Sequence, residues 1–256
     1  MSVEVIRAAS LGAIAHGFLG RRGGVSTGAM AGLNVGFGSR DDRAAIAENR
    51  ELAVAAVLAG AELATVHQVH SAEVVAVERP WAQDERPHAD SMVTDRPNVL
   101  LGILTADCAP VLFADAQGGV AGAAHAGWRG ALAGVTDATI AAMEKLGAKR
   151  ELIAAAVGPC IGQASYEVDE TFRRRFLDAD ASNIRFFVME PAGRPHFDLD
   201  AYVVARLSAA GIGSVASLGL DTYGDEDRFY SYRRSTHRGE TDYGRQMAMI
   251  GLRGNG

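Results

Sequence analysis

The sequence predicts an α+β fold, a single-domain α/β sandwich with mixed β-sheets rather than a Rossmann fold. Three observations carry this. At 256 residues, with 48% hydrophobic and 22% charged residues, the chain can bury a sizeable core and has an ordinary globular composition. Apolar runs of strand length and helix length mix without strict strand–helix–strand alternation. No internal repeat, low-complexity tract or Gly/Ser linker divides residues 1–256, so one domain is expected.

The elements follow in order. After the glycine-rich GFLGRRGGVSTGAMAGLNVGFG, the stretch SRDDRAAIAENRELAVAAVLAG reads as a helix to about Leu58, with Ser39 and Asp42 resembling a capping box. TVHQVHSAEVVAVE and VLLGIL read as strands. PVLFAD and VAGAAHA flank the turn-forming DAQGG and predict a hairpin. ALAGVTDATIAAMEKLGAK is the next helix, entered through Gly127-Trp128-Arg129-Gly130. IAAAVGPCIG reads as a strand ending in a Gly-Pro turn; TFRRRFLD and DLDAYVVARLSAAG read as helices. The tail RFYSYRRSTHRGETDYGRQMAMIGL reads as two short strands around a polar, basic loop.

Bulk properties exclude several function classes. A net charge of −6 argues against a broad nucleic-acid or anionic-membrane surface. No stretch approaches the ~18–20 apolar residues of a spanning helix, and MSVEVIRAAS lacks the apolar centre of a signal peptide. Two cysteines make no disulfide framework, so a reduced, cytoplasmic location is expected. The GRRGGVSTG glycines beside Arg21 and Arg22 admit either an anion-binding backbone nest or a surface loop; no Gly-Lys-Ser/Thr phosphate loop occurs.

Chemistry rests on seven histidines and two cysteines. His16, His88, His196 and His237 stand alone and are expected at the surface or in loops. Cys108 stands in a polar turn, TADCAP, where a free thiol needs a purpose. His70, Cys108 and His125 each fall at or near a strand end, and two imidazoles with one thiolate suit zinc with an open fourth position. Their wide spacing leaves a core cysteine with backbone-bonded histidines as the alternative. A Cys108–His nucleophile pair without metal is another. Within HQVH, His67 and His70 would face opposite sides of a strand, so only one can join, and periodicity does not choose between them.

HGFLGRRGGVSTG, ENR, QVH, TADCAPV, AAHAGWRG, GPCIG, YEV and FYSYRR, in that order, resemble the YfiH-like family, also called the polyphenol oxidase or laccase-domain family. Its members have been named peptidoglycan editing factor and purine nucleoside phosphorylase. The resemblance implies an α/β sandwich and zinc held by His70, Cys108 and His125, which selects His70 over His67. It also implies phosphorolysis of purine nucleosides, deamination of adenosine and cleavage of methylthioadenosine, with purine nucleosides and phosphate as partners. The loop STHRGETDYGR departs from the family pattern, with Tyr243 where Thr is common.

Within that reading Asp107 is a candidate proton shuttle or a cap of the Cys108 turn. Arg50 and then Arg129 are candidate phosphate cations, or else structural arginines. The alternatives are a copper-dependent polyphenol oxidase, for which seven histidines are few, a Cys–His hydrolase, and a non-catalytic nucleoside- or metal-binding module.

Overall fold

Two sheets pack face to face, each covered on its outer side by helices. The structure, a computed structural model, describes residues 2–189 and 193–254. In chain order the strands are β1 (Val5–Ile6), β2 (Ala15–Leu19), β3 (Glu62–Ala64), β4 (Val74–Ala76), β5 (Ser91–Thr94), β6 (Val99–Thr105), β7 (Ala109–Asp115), β8 (Val120–Ala126), β9 (Ala154–Val157), β10 (Phe187–Met189), β11 (Pro195–Phe197), β12 (Ser214–Ser217) and β13 (Gln246–Gly251). The α-helices are α1 (Arg43–Leu58), α2 (Trp128–Ala133), α3 (Val135–Lys145), α4 (Glu170–Ala179), α5 (Leu199–Ala209) and α6 (Tyr232–His237). One sheet has the order β1-β2-β13-β6-β3, the other β12-β9-β7-β8-β5-β4, and β10-β11 form a small ribbon. Both large sheets mix parallel and antiparallel pairs, as expected for a sandwich and unlike a Rossmann sheet.

Side-chain alternation builds three cores. Phe18, Leu101, Ile103, Ala248 and Ile250 of the first sheet meet Met92, Leu112 and Ala123 of the second in the central core. Intervening residues point outward: Leu100, Met247 and Met249 pack with Ala53 and Val57 of α1. Val111 and Phe113 of β7 pack with Ile140 and Met143 of α3 and Val203 of α5. Burying a side chain such as Phe113 or Leu112 stabilises the fold by roughly 1.5–3 kcal/mol, so β7, filled on both faces, anchors the second sheet.

The β7–β8 hairpin forms where the turn chemistry placed it. Asp115 Oδ1 accepts from the amides of Gln117 and Gly118, and Gly119 takes φ 64°. Small residues along β8 let α3 approach closely: a Cβ on Gly122 would lie 3.1 Å from Met143 Sδ.

Several expectations need correction. Helix α1 is capped by Asp42, whose carboxylate accepts from Ala44 N, whereas the Ser39 hydroxyl closes an earlier turn on Gly36 O. TVHQVHSAEVVAVE is mostly loop, with only Val74–Ala76 as strand, because His70 adopts φ 61°. The helix expected after Gly127 is two helices, broken at Gly134 with φ 91°. The first tail strand is instead the helix α6, started by Ser231 Oγ accepting from Arg234 N. His16 is not a surface residue: it is buried on β2, its Nε2 accepting from Ala8 N and its Nδ1 donating to Ile14 O.

Candidate metal centre

Three separate segments converge at one end of the second sheet. His125 is the penultimate residue of β8 and pairs with Pro110 of β7. Cys108 immediately precedes β7, in a turn where Asp107 takes φ 87°. His70 comes from the loop before β4, at φ 61°, so its reach into the site follows from a turned backbone and not from strand alternation. One donor atom from each of the three lies within 4.8 Å of the others. Cys108 Sγ is 3.9 Å from His70 Nε2, and the two imidazoles meet edge to face at 4.8 Å. His67 stands outside this group, its ring stacked on His88 at 4.5 Å.

Asp90, just before β5, organises the site, and no sequence pattern marks it among 31 acidic residues. Fully buried, it accepts from His125 Nδ1 through Oδ1 at 2.8 Å. Its Oδ2 accepts from the amides of Val69 and Ser71 and from the Ser71 hydroxyl. One carboxylate therefore orients His125, leaving Nε2 for the site, and also fastens the residues on either side of His70. Gly127 and Gly130 make room. A Cβ on Gly127 would lie 2.8 Å from the His70 ring and 3.0 Å from Cys108 Sγ; one on Gly130 would lie 2.7 Å from Ser71 O.

Charge reinforces the geometry. Burial pushes the Cys108 thiol up, but the His125 charge and hydrogen bonds from His125 and His70 outweigh it and bring the thiol to about 6. Burial pushes His125 down, yet the Cys108 charge and the Asp90 hydrogen bond raise it to about 9. Both shifts point the same way, toward thiolate and imidazolium in the absence of metal; the same donors, with His125 neutral, form a nitrogen–sulfur set suited to a metal cation. The small Gly127 beside all three donors keeps their meeting point clear, so the residues present fit a metal ion.

His70, Asp107 and Cys108 line a cavity of about 450 Å³, together with Trp128, Tyr166 and Phe172. Arg129, Arg194 and Arg233 also line it, and Arg194 pairs loosely with Glu167 at 3.5 Å.

Residues 15–253 match the family described as multi-copper polyphenol oxidoreductase laccase. The chain belongs to this family. It is 43% identical over 251 residues to a purine nucleoside phosphorylase of Deinococcus radiodurans, covering 98% of this chain and 93% of that protein. It is 38% identical over 224 residues to a Streptomyces coelicolor purine nucleoside phosphorylase, covering 87% and 91%. Among solved structures, Neisseria meningitidis protein NMB0706 superposes with a TM-score of 0.88 at 33% identity, covering 99% of this chain and all of that one. Bacillus licheniformis YfiH gives 0.86 at 30% identity, covering 98% and 97%. The YfiH-like resemblance read from the motifs is borne out.

For this laccase-family chain, the expected site residues divide into two places. Asp107 and Arg129 line the cavity with His70 and Cys108, and His125 closes the donor group behind them. The Asp107 carboxylate is engaged on both oxygens, accepting from Thr222 Oγ1 at 2.7 Å and from Arg233 N at 2.6 Å. Burial raises its pKa against these hydrogen bonds. Arg50 is not brought into this cavity. Its Nε donates to Val35 O at 2.9 Å, its Nη1 to Gln83 Oε1 at 3.3 Å, and its guanidinium lies 4.5 Å from the Phe37 ring centroid. Burial and the neighbouring Arg86 lower its pKa to about 10. Arg233 was missed because its segment read as strand; on α6 it enters the cavity, with Nη1 donating to Glu167 O. No helix among the described residues is long and apolar enough to cross a membrane.

Proposed function

We propose that this protein is a zinc-dependent purine nucleoside phosphorylase that also deaminates adenosine and cleaves methylthioadenosine. The observation that carries the reading is the convergence of His70, Cys108 and His125 beside a cavity also lined by Arg129 and Arg233. The names of the D. radiodurans and S. coelicolor relatives support the phosphorylase part; the family resemblance motivates the other two activities. Two imidazoles and a thiolate with an open fourth position suit a catalytic zinc, although the same donors with a weak axial ligand can hold a single copper. Among the described residues this is the single His/Cys/Asp/Glu group gathered tightly enough for a metal, whereas a multi-copper oxidase needs several sites.

Zinc in that position would supply a Lewis acid at the cavity wall. The chain does the rest. Asp90 holds His125 and the His70 loop in register. Arg129 and Arg233 supply positive charge for phosphate as it approaches the ribose while the purine leaves. With both oxygens occupied by Thr222 and the Arg233 amide, Asp107 serves to hold the Cys108 turn against α6 rather than to carry protons. Arg50 is assigned a structural role on Val35 and Phe37.

The Asp90–His125–Cys108 arrangement also favours a second reading, a metal-free Cys–His hydrolase. Elemental analysis and product assay on one preparation separate the two. About one zinc per chain is expected, with adenine and ribose 1-phosphate formed from adenosine plus phosphate, and inosine formed without phosphate. His125→Ala should abolish both products together, because two protein ligands hold zinc poorly. Full turnover in metal-free protein would overturn the zinc reading, and inosine persisting in the variant would remove deamination from this chain.

A further inference from the structure

Four aromatic side chains line the cavity beside the donor group: Trp128, Tyr166, Phe172 and Tyr232. Three have their faces taken. Trp128 packs on Phe172 at 4.9 Å and carries the guanidinium groups of Arg129 and Arg175 at 5.1 and 5.4 Å. Tyr166 lies under Arg233 at 5.5 Å and against Phe172 and Phe197. Phe172 stacks on Phe176 at 5.0 Å and 23°. These rings belong to the aromatic core behind the cavity.

Tyr232 is different. It is 53% exposed although it lines the cavity, and among the described residues its single aromatic neighbour is Tyr243, at 5.1 Å. Tyr243 is itself supported: the Arg245 guanidinium sits 4.3 Å from its ring centroid, and Arg245 Nη1 donates to Tyr243 O. The Tyr232 carbonyl is fixed on α6 by the hydroxyls of Ser235 and Thr236. The result is a braced ring with one flank against Tyr243 and the rest open. The next residue, Arg233, brings a guanidinium into the same cavity.

We propose that Tyr232 is the platform on which the purine base stacks, with Tyr243 and Arg245 as positioning residues that hold the ring. The inference rests on the nucleoside reading above and goes further by assigning the base subsite. A flat heteroaromatic ring is the ligand that an open, braced tyrosine recognises, because stacking tolerates any purine and needs only a π-face. With the base on Tyr232, the sugar and phosphate fall to the rest of the same cavity, which Arg233, His70 and Cys108 also line. Selection among purines then falls to other contacts, and broad purine acceptance is expected.

The test combines steady-state kinetics on the metal-loaded protein with calorimetric binding of adenine, which needs no turnover. Tyr232→Ala should raise the nucleoside KM about tenfold and weaken adenine binding by a similar factor, with kcat changed by no more than about twofold. Tyr232→Phe should match the parent in both. Tyr243→Ala should give a smaller KM rise, and Tyr243→Phe should restore it, a pattern that a general loss of stability does not produce. Tyr232→Leu, which keeps apolar bulk without a π-face, should behave like Tyr232→Ala. Turnover by the parent with KM and adenine affinity unchanged in Tyr232→Ala overturns the platform and leaves the phosphorylase reading intact. Adenine binding that depends on Tyr232, without phosphate-dependent turnover by the parent, retires the phosphorylase and keeps the platform. Failure of the parent to bind adenine overturns the platform.

Discussion

His70 holds a left-handed backbone conformation that a residue with a Cβ adopts at a cost, and Asp90 offsets that cost by bonding the amides of Val69 and Ser71. Cys108 is tuned by its neighbours in a similar way, and Cys160 provides the contrast. Burial, with the charges of Asp200 and Asp198, pushes the Cys160 thiol well above its ordinary value. In metal-free protein Cys108 alkylation by iodoacetamide should therefore rise through about pH 6, not near the ~8.5 of a free thiol, while Cys160 stays unlabelled at neutral pH. Peptide mass spectrometry across pH 5–9 reads this; equal labelling of the two thiols would contradict it. At this scale the donor types were legible in the sequence, since Cys108 in a polar turn and His125 at a strand end stand out. Asp90 was not, because its role arises from a strand pairing that brings it beside His125 from 35 positions away.

Helix α2 begins directly after the His125 end of the donor group, and its entry is set by how little space Gly127 takes. Gly127→Ala puts a methyl against His70 and Cys108 Sγ. The φ of −67° at Gly127 suits alanine, so the backbone has no reason to unfold. The expected outcome is metal affinity reduced at least tenfold, with overpacking costing about 1–3 kcal/mol of stability. Equilibrium dialysis with a metal chelator and a thermal melt measure the two effects; undiminished metal binding would mean that the donors have slack. Elements with one strong local signal, such as the β7–β8 hairpin and α1, were readable from sequence. Those decided by a cap or a turned residue were not: Ser231 converts a strand-like FYSYRR into α6, and His70 breaks a run that alternation alone would extend. The misread α6 hid Arg233 and the role of Tyr232.

Across the whole molecule, acid should act through the same buried carboxylate. Burial raises the Asp90 pKa, but the hydrogen bonds from His125 and Ser71 and the His125 charge outweigh it, leaving Asp90 below the usual carboxylate range. A depressed carboxylate stabilises the fold at every pH above its unfolded value of about 3.9, and the contribution disappears as pH falls toward the folded value. Asp90→Asn should remove on the order of 2 kcal/mol at neutral pH and flatten the fall of Tm between about pH 5 and 2. Melts of metal-free parent and variant across that window test it; parallel curves would place the acid sensitivity elsewhere. The sandwich class was legible from mixed strand and helix patterning, whereas strand order was not, because partners far apart in the chain leave no local trace.

That strand order has a consequence for how the molecule comes into being. Strand β13 lies in the middle of its sheet, hydrogen-bonded to β2 on one side and β6 on the other. During synthesis β2 and β6 emerge early and must wait, with inward edges unpaired, for a segment made much later. Until Gln246–Gly251 arrives, those two edges remain open templates for pairing with another nascent chain. The sheet can close at its centre only when nearly all of the chain has been made, which leaves long-range pairing to the end of folding.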